Sequence, residues 1–190
     1  MEAMRHRGRA TLALLAALLA VSCAGPTQEW VRPGSARIAK LAVLPFENLT
    51  AALRPGASVS DLLVSEILAS GPVAVMDPSE VADLLRRENL DPADGARLPS
   101  AQRVGRLLHV SHVLQGAVTE YRYRPGLSET PVVGVTARVV DVATGEVVWT
   151  ASYARSGSSW RQQGLSSVAQ SITRDMAAHL TGALGDARAR

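Results

Sequence analysis

Hydrophobic positions recur along the chain with two periods. A stripe of Val59, Leu62, Leu63 and Ile67 has the helical period and predicts a helix from about Ser58 to Ser70, stopped by Gly71 and Pro72. Asp77-Pro78-Ser79-Glu80 opens a second helix: Asp77 caps, Pro78 suits the first helical position, and Glu80 is placed to reach back. Val81, Leu84 and Leu85 then face inward, and Arg86, Arg87 and Glu88 face solvent. Ser100 caps a short helix over Ala101 to Leu108. A last helix, Leu165 to about Leu184, turns Leu165, Val168, Ile172, Met176 and Leu180 toward the core. Ile38 to Phe46 is apolar without alternation, as expected of a strand covered on both faces. Val73 to Met76 reads as a short second strand, and His112 to Tyr121 as a third. In Val132 to Asp141, Val133, Val135, Ala137 and Val139 alternate with Gly134, Thr136 and Arg138. Asp141 to Glu146 is a tight hairpin loop, with Gly145 free to take positive φ. Val147, Trp149, Ala151 and Tyr153 line one face of a fifth strand. The order β-α-β-α-α-β-β-β-α predicts a single α/β domain with a mixed five-stranded sheet covered by helices.

The first 22 residues have another pattern. Arg5, Arg7 and Arg9 precede an apolar run from Ala10 to Val21, too short to span a bilayer and typical of an export signal. Leu18 to Ser22 followed by Cys23 reads as a bacterial lipobox, with small residues at Ala20 and Ser22 beside the cut. Ala20 stands where Leu is commoner. The sequence therefore divides into a lipoprotein signal peptide (1–22), a lipidated Cys23 with a short tether (23–36), an α/β domain (37–185) and a disordered tail (186–190). Pro26, Pro33 and Gly34 argue against regular structure in the tether. Trp30 either rests at the lipid interface or packs on the domain. Ala24 after the cysteine is compatible with sorting to the outer membrane, facing the periplasm.

Cleavage would remove 22 of 190 residues and leave 168, about one domain. The sequence pI of 9.6 comes largely from the signal. Without Arg5, Arg7, Arg9 and Glu2, 17 basic and 16 acidic side chains remain, so no basic footprint for nucleic acid survives. Cys23 is the only cysteine, which excludes an intramolecular disulfide and, once lipidated, a thiol nucleophile.

Candidate chemistry is sparse. Nucleophile elbows, phosphate-binding loops and dinucleotide fingerprints are absent from the sequence. His109 and His112 straddle a helix-to-strand junction with no third ligand nearby in sequence. They read as ordinary junction residues, and no metal or cofactor is expected. Asp141 is expected to bond its own turn rather than to act as an acid or base. Tyr121-Arg122-Tyr123-Arg124 puts rings on one face and cations on the other if the strand runs that far. This is either a binding platform or a charged strand end that discourages edge pairing. Trp160 beside Arg161, in the polar loop Arg155 to Gly164, has the composition of an interface hot spot, or else folds back on the sheet. Trp160, Arg161, Tyr121 and Tyr123 are the candidate partner contacts, and Cys23 is the lipid attachment.

Five segments in order carry a resemblance: Lys40-Leu-Ala-Val-Leu-Pro-Phe-Glu-Asn-Leu49, Asp61 to Leu68, Val75 to Val81, Leu107 to Gly116, and Val140-Asp-Val-Ala-Thr-Gly-Glu-Val-Val-Trp149. Together, over about Ile38 to Leu184, the chain resembles the superfamily of envelope lipoproteins that includes CsgG, LpoB and FlgO, and is similar to the N-terminal domain of TolB. The resemblance implies a mixed α/β domain, no catalytic residues, and a task in regulating or assembling an envelope machine such as a peptidoglycan synthase, a secretion apparatus or a flagellar base. The expected partners are the membrane, through the lipid on Cys23, and an envelope protein. A homo-oligomeric scaffold or channel of the curli type is the alternative. The loops Arg122 to Pro131 and Arg155 to Gly164 are too short to add membrane-spanning hairpins. The tether is likewise too short for a synthase activator that must cross the periplasm.

Overall fold

The computed structural model describes residues 28–71, 73–90, 100–126, 129–158 and 161–185. They form a mixed six-stranded sheet with helices on both faces. In chain order the elements are β1 (Gln28–Val31), β2 (Leu41–Val43), β3 (Glu47–Asn48), α1 (Pro55–Ser70), α2 (Pro78–Arg87), α3 (Ala101–Leu107), β4 (His112–Arg124), β5 (Thr130–Asp141), β6 (Val147–Ser156) and α4 (Leu165–Leu184). The strands lie in the order β1-β6-β5-β4-β2, and β3 also pairs with β4. β2 and β3 run parallel to β4, while β4, β5, β6 and β1 form an antiparallel meander.

The expected mixture of parallel crossover and antiparallel meander is present, with four differences. First, Gln28–Val31, read as part of an irregular tether, is an edge strand paired with β6. Pro33 lies beyond its end, so no ladder hydrogen bond is lost to it. Second, Val73–Met76 contributes one bridge, Leu41 to Val75, rather than a strand. Third, the long apolar run narrows to Leu41–Val43 and resumes as β3 past Pro45, which has no N–H to donate. Fourth, Val147 does not share a face with Trp149. The register shifts opposite Val139 and Val140, so Val148 joins the core of Trp149 while Val147 packs with the cluster on the opposite face.

The sheet separates two cores. One face, with Leu41, Val43, Leu114, Val118, Val135, Val139, Trp149 and Tyr153, packs against Val59, Leu63 and Ile67 of α1 and Ile172, Met176 and Leu180 of α4. The other carries Ala42, Val113, Val140 and Val142 against Val81 and Leu85 of α2, Val104 of α3 and Leu108, which caps the end of α3. All three residues of β2 are buried, which explains its lack of alternation. Helix starts follow local chemistry. The Asp77 carboxylate accepts from the backbone N–H and hydroxyl of Ser79, and the Ser100 side chain accepts from Arg103 N–H. Gly145 takes φ 78° in the hairpin loop, where Asp141 Oδ1 accepts from Ala143 N and Thr144 N at 2.8 and 3.0 Å.

Candidate functional site

One end of the sheet gathers most of the candidate contacts. β4 runs to Arg124, past its expected end at Tyr121, so rings and cations do alternate there. Tyr121 turns inward and packs on the α1/α4 core, whereas Tyr123 is 44% exposed. Arg122 lies on the opposite face, 2.6 Å from Glu120. Beyond Val118 the outer edge of β4 has no strand partner among the described residues, because β3 ends at Asn48.

The loop after β6 lies at the same end of the sheet. Arg155 and Ser156 belong to the strand rather than to the loop. Arg155 anchors strand to helix through Ser171 Oγ at 2.9 Å and Asp175 Oδ2 at 2.6 Å. Ser158 N–H donates to Gln163 Oε1 at 2.8 Å, and Gly157 N–H to the Pro131 carbonyl at 2.7 Å, so the loop's two ends are tied together and to β5. A Cβ on Gly164 would sit 3.6 Å from the Tyr123 hydroxyl, so the loop reaches that ring. Arg161 is exposed there. Tyr123 and Arg161 are thus at the same end of the molecule, and Tyr121 serves packing. Trp160 and Cys23 lie outside the described residues.

The histidines have structural surroundings. His109 takes the left-handed conformation, φ 52°, between α3 and β4. His112 is buried at the start of β4, with Nδ1 2.9 Å from Ser111 Oγ and Nε2 3.8 Å from Asp141 Oδ2. Burial pushes its pKa down, partly offset by the Asp141 charge. Among the described residues no three of His, Cys, Asp and Glu gather as a metal site. His179 belongs to another cluster: its Nδ1 lies 2.7 Å from Glu29 Oε2, while Glu29 Oε1 accepts from Trp149 Nε1 at 2.9 Å. Glu29 so ties edge strand β1 to both the sheet and α4. Tyr153 is buried nearby without a hydrogen-bond partner for its hydroxyl, and burial holds its pKa far above the ordinary phenol value.

Two features were missed from the sequence. One is the half-covered face of the sheet, where Thr150 stands opposite Trp30 and Arg138, and Ser152 opposite Gln28 and Thr136. A groove of about 370 Å³ runs along it, lined by Gln28, Trp30, Thr136, Thr150 and Ser152. Trp30 lines this groove and remains about half exposed. The other is the loop between β3 and α1, which presents Leu49 and Leu53 to solvent. Its signal in the sequence was two leucines within a segment without helical or strand period. Among the described residues no helix is long and apolar enough to cross a membrane. These surfaces offer rings, guanidinium groups and apolar knobs, an inventory suited to binding.

No protein-family model and no curated protein matches the chain. Solved structures do. The PelC dodecamer from Paraburkholderia phytofirmans matches at 31% identity over 80% of this chain and 94% of that one, with a TM-score of 0.59. Lipoprotein GNA1162 from Neisseria meningitidis shares the fold at 20% identity, over 73% of this chain and 98% of its own, with a TM-score of 0.58. The LpoB C-terminal domain from Escherichia coli lies further off, at 18% identity over 66% and 88% and a TM-score of 0.49, too loose a likeness to bear on role. The fold expected from the motifs is therefore one that an envelope lipoprotein also has. On a match that covers nearly the whole of that relative, the chain belongs to the PelC family.

Proposed function

We propose that this protein is a lipid-anchored component of the bacterial envelope that works as a ring of identical copies, by assembly and binding rather than by turnover. The observation that carries this is the family relationship to a protein that forms a dodecamer. Three further observations support it. The lipobox at Cys23 supplies an anchor, and the sequence has no catalytic constellation. Large apolar side chains also stay exposed at both edges of the sheet. The reading promotes the oligomeric scaffold over a solitary adaptor.

On this reading the ring also has a direction. Only residues 24–27 separate Cys23 from β1, so the anchor lies within about 18 Å of Gln28. β1 is antiparallel to β6, with Gln28 opposite Ser152, so its N-terminal end points to the end of the sheet that holds Arg124, Ser156 and Arg161. That end would face the anchoring membrane, with Tyr123 and Arg161 toward a membrane-embedded envelope partner. Outer-membrane attachment on the periplasmic side fits Ala24.

The test is sedimentation of the full chain extracted from membranes in mild detergent. A discrete species of about twelve copies, the number in the relative, is expected; a monomer or dimer at all concentrations overturns the ring. Cys23→Ser is expected to move the protein from the membrane to the soluble fraction, and persistence in the membrane would overturn the anchor.

A further inference from the structure

A closed ring of identical subunits is built from heterologous contacts: two different patches on each copy, facing opposite ways, the first of one copy meeting the second of the next. The fold has such a pair. At one edge the loop between β3 and α1 carries Leu53, 94% exposed, and Leu49, 57% exposed. At the other edge Trp30 on β1, 46% exposed, lines the 370 Å³ groove with Gln28, Thr136, Thr150 and Ser152. Four strand spacings lie between these edges, about 19 Å at the usual interval.

The leucine loop is built rather than slack. Asn48 Oδ1 accepts from Thr50 N and Thr50 Oγ1 at 3.0 and 2.8 Å, and Asn48 Nδ2 donates to the Ala52 carbonyl at 2.8 Å. Ala52 N–H donates to Thr50 Oγ1 at 3.2 Å, and Leu49 N–H to the Val118 carbonyl at 3.0 Å. Arg54 closes the loop in the left-handed conformation, φ 54°. The chain then enters α1 at Pro55 and Gly56, where a Cβ on Gly56 would run into the Phe46 carbonyl oxygen. A loop with so many internal ties loses little freedom on binding, which is how preorganisation raises affinity. Leu53, held out in this way, leaves nearly all of its side chain in solvent.

We propose that Leu53 and Leu49 of one copy seat in the Trp30 groove of the next, and that this knob-and-groove contact is the head-to-tail joint of the ring. The inference rests on the ring reading above and adds to it the two surfaces that meet. A solvated Leu and a half-buried Trp across such a joint form a small apolar centre, and Gln28, Thr136 and Ser152 supply a polar rim.

The experiment uses the full chain in mild detergent, with wild type, Leu53→Asp, Leu53→Cys, Trp30→Cys and the double cysteine variant followed by sedimentation and by non-reducing gels. Leu53→Asp is expected to abolish the multi-copy species and leave the far-UV circular dichroism of the subunit unchanged, because the side chain touches solvent within its own subunit. The double cysteine variant is expected to give a ladder of covalent multimers on mild oxidation that neither single variant gives. A wild-type ring that persists in Leu53→Asp, with no ladder from the double variant, overturns this joint and leaves the ring reading standing. Crosslinking by Leu53→Cys alone overturns it too, because it means that like patches meet. A wild-type protein that is monomeric throughout overturns the ring reading and the joint together.

Discussion

The two faces of the sheet share the same strands and differ in what covers them. On one, α1 and α4 seal a continuous core from Leu41 to Tyr153, and Trp149 and Met176 are fully buried in it. On the other, α2 and α3 cover only the end near Val113 and Val140, and Gln115, Thr136, Arg138, Thr150 and Ser152 are left beside open grooves. The helix-sealed face holds the larger core, and the half-covered face is left partly open to solvent. Alternation along each strand makes this division of labour available, since neighbouring residues address opposite faces.

Substitutions can break the contrast. The largest effect is expected from Trp149→Ala on the sealed face, which removes a buried indole and its hydrogen bond to Glu29. A loss of about 3–5 kcal/mol of unfolding free energy should follow in urea titrations. Leu85→Ala in the smaller α2/α3 cluster should cost about 2–3 kcal/mol by the same measurement, at the low end of the usual range because a peripheral cluster collapses more easily. A third effect depends on pH. His112 is held neutral by burial, so its folded pKa lies below the unfolded value near 6.5. Its contribution is fully present above that unfolded value and is lost as pH falls below it, because the unfolded chain then binds the proton more readily. Urea midpoints between pH 8 and pH 5 should therefore fall, and fall less in His112→Asn. The smallest effect belongs to the open face: Thr136→Ala should leave the stability of the isolated subunit within about 0.5 kcal/mol. A large loss there would remove the contrast between the faces.

The sequence showed the sealed face well. Val59, Leu63 and Ile67 on α1 and Val168, Ile172, Met176 and Leu180 on α4 announce themselves by period, and all are buried. Asp77 and Ser100 announce the starts of α2 and α3, and both cap them. Of the candidate contacts, Tyr123 is exposed at the strand end where the pattern placed it, but Tyr121, two residues earlier on the same face, is partly consumed by the core. The period could not separate the two, because both rings occupy equivalent positions in the alternation. Val147 illustrates the same limit, since a bulge across the β5/β6 ladder moved it to the other face.

The amino-acid sequence by itself determined the helices and the long strands, because each depends on residues close together in the chain. Only the tertiary structure decided that Gln28–Val31 is an edge strand, that one face stays half open, and that Trp30 and Leu53 stand at opposite edges. Those facts depend on which strands pair. Pairing joins Glu29 to Ala151 across 122 positions of sequence, and no local pattern of polarity encodes a contact at that range.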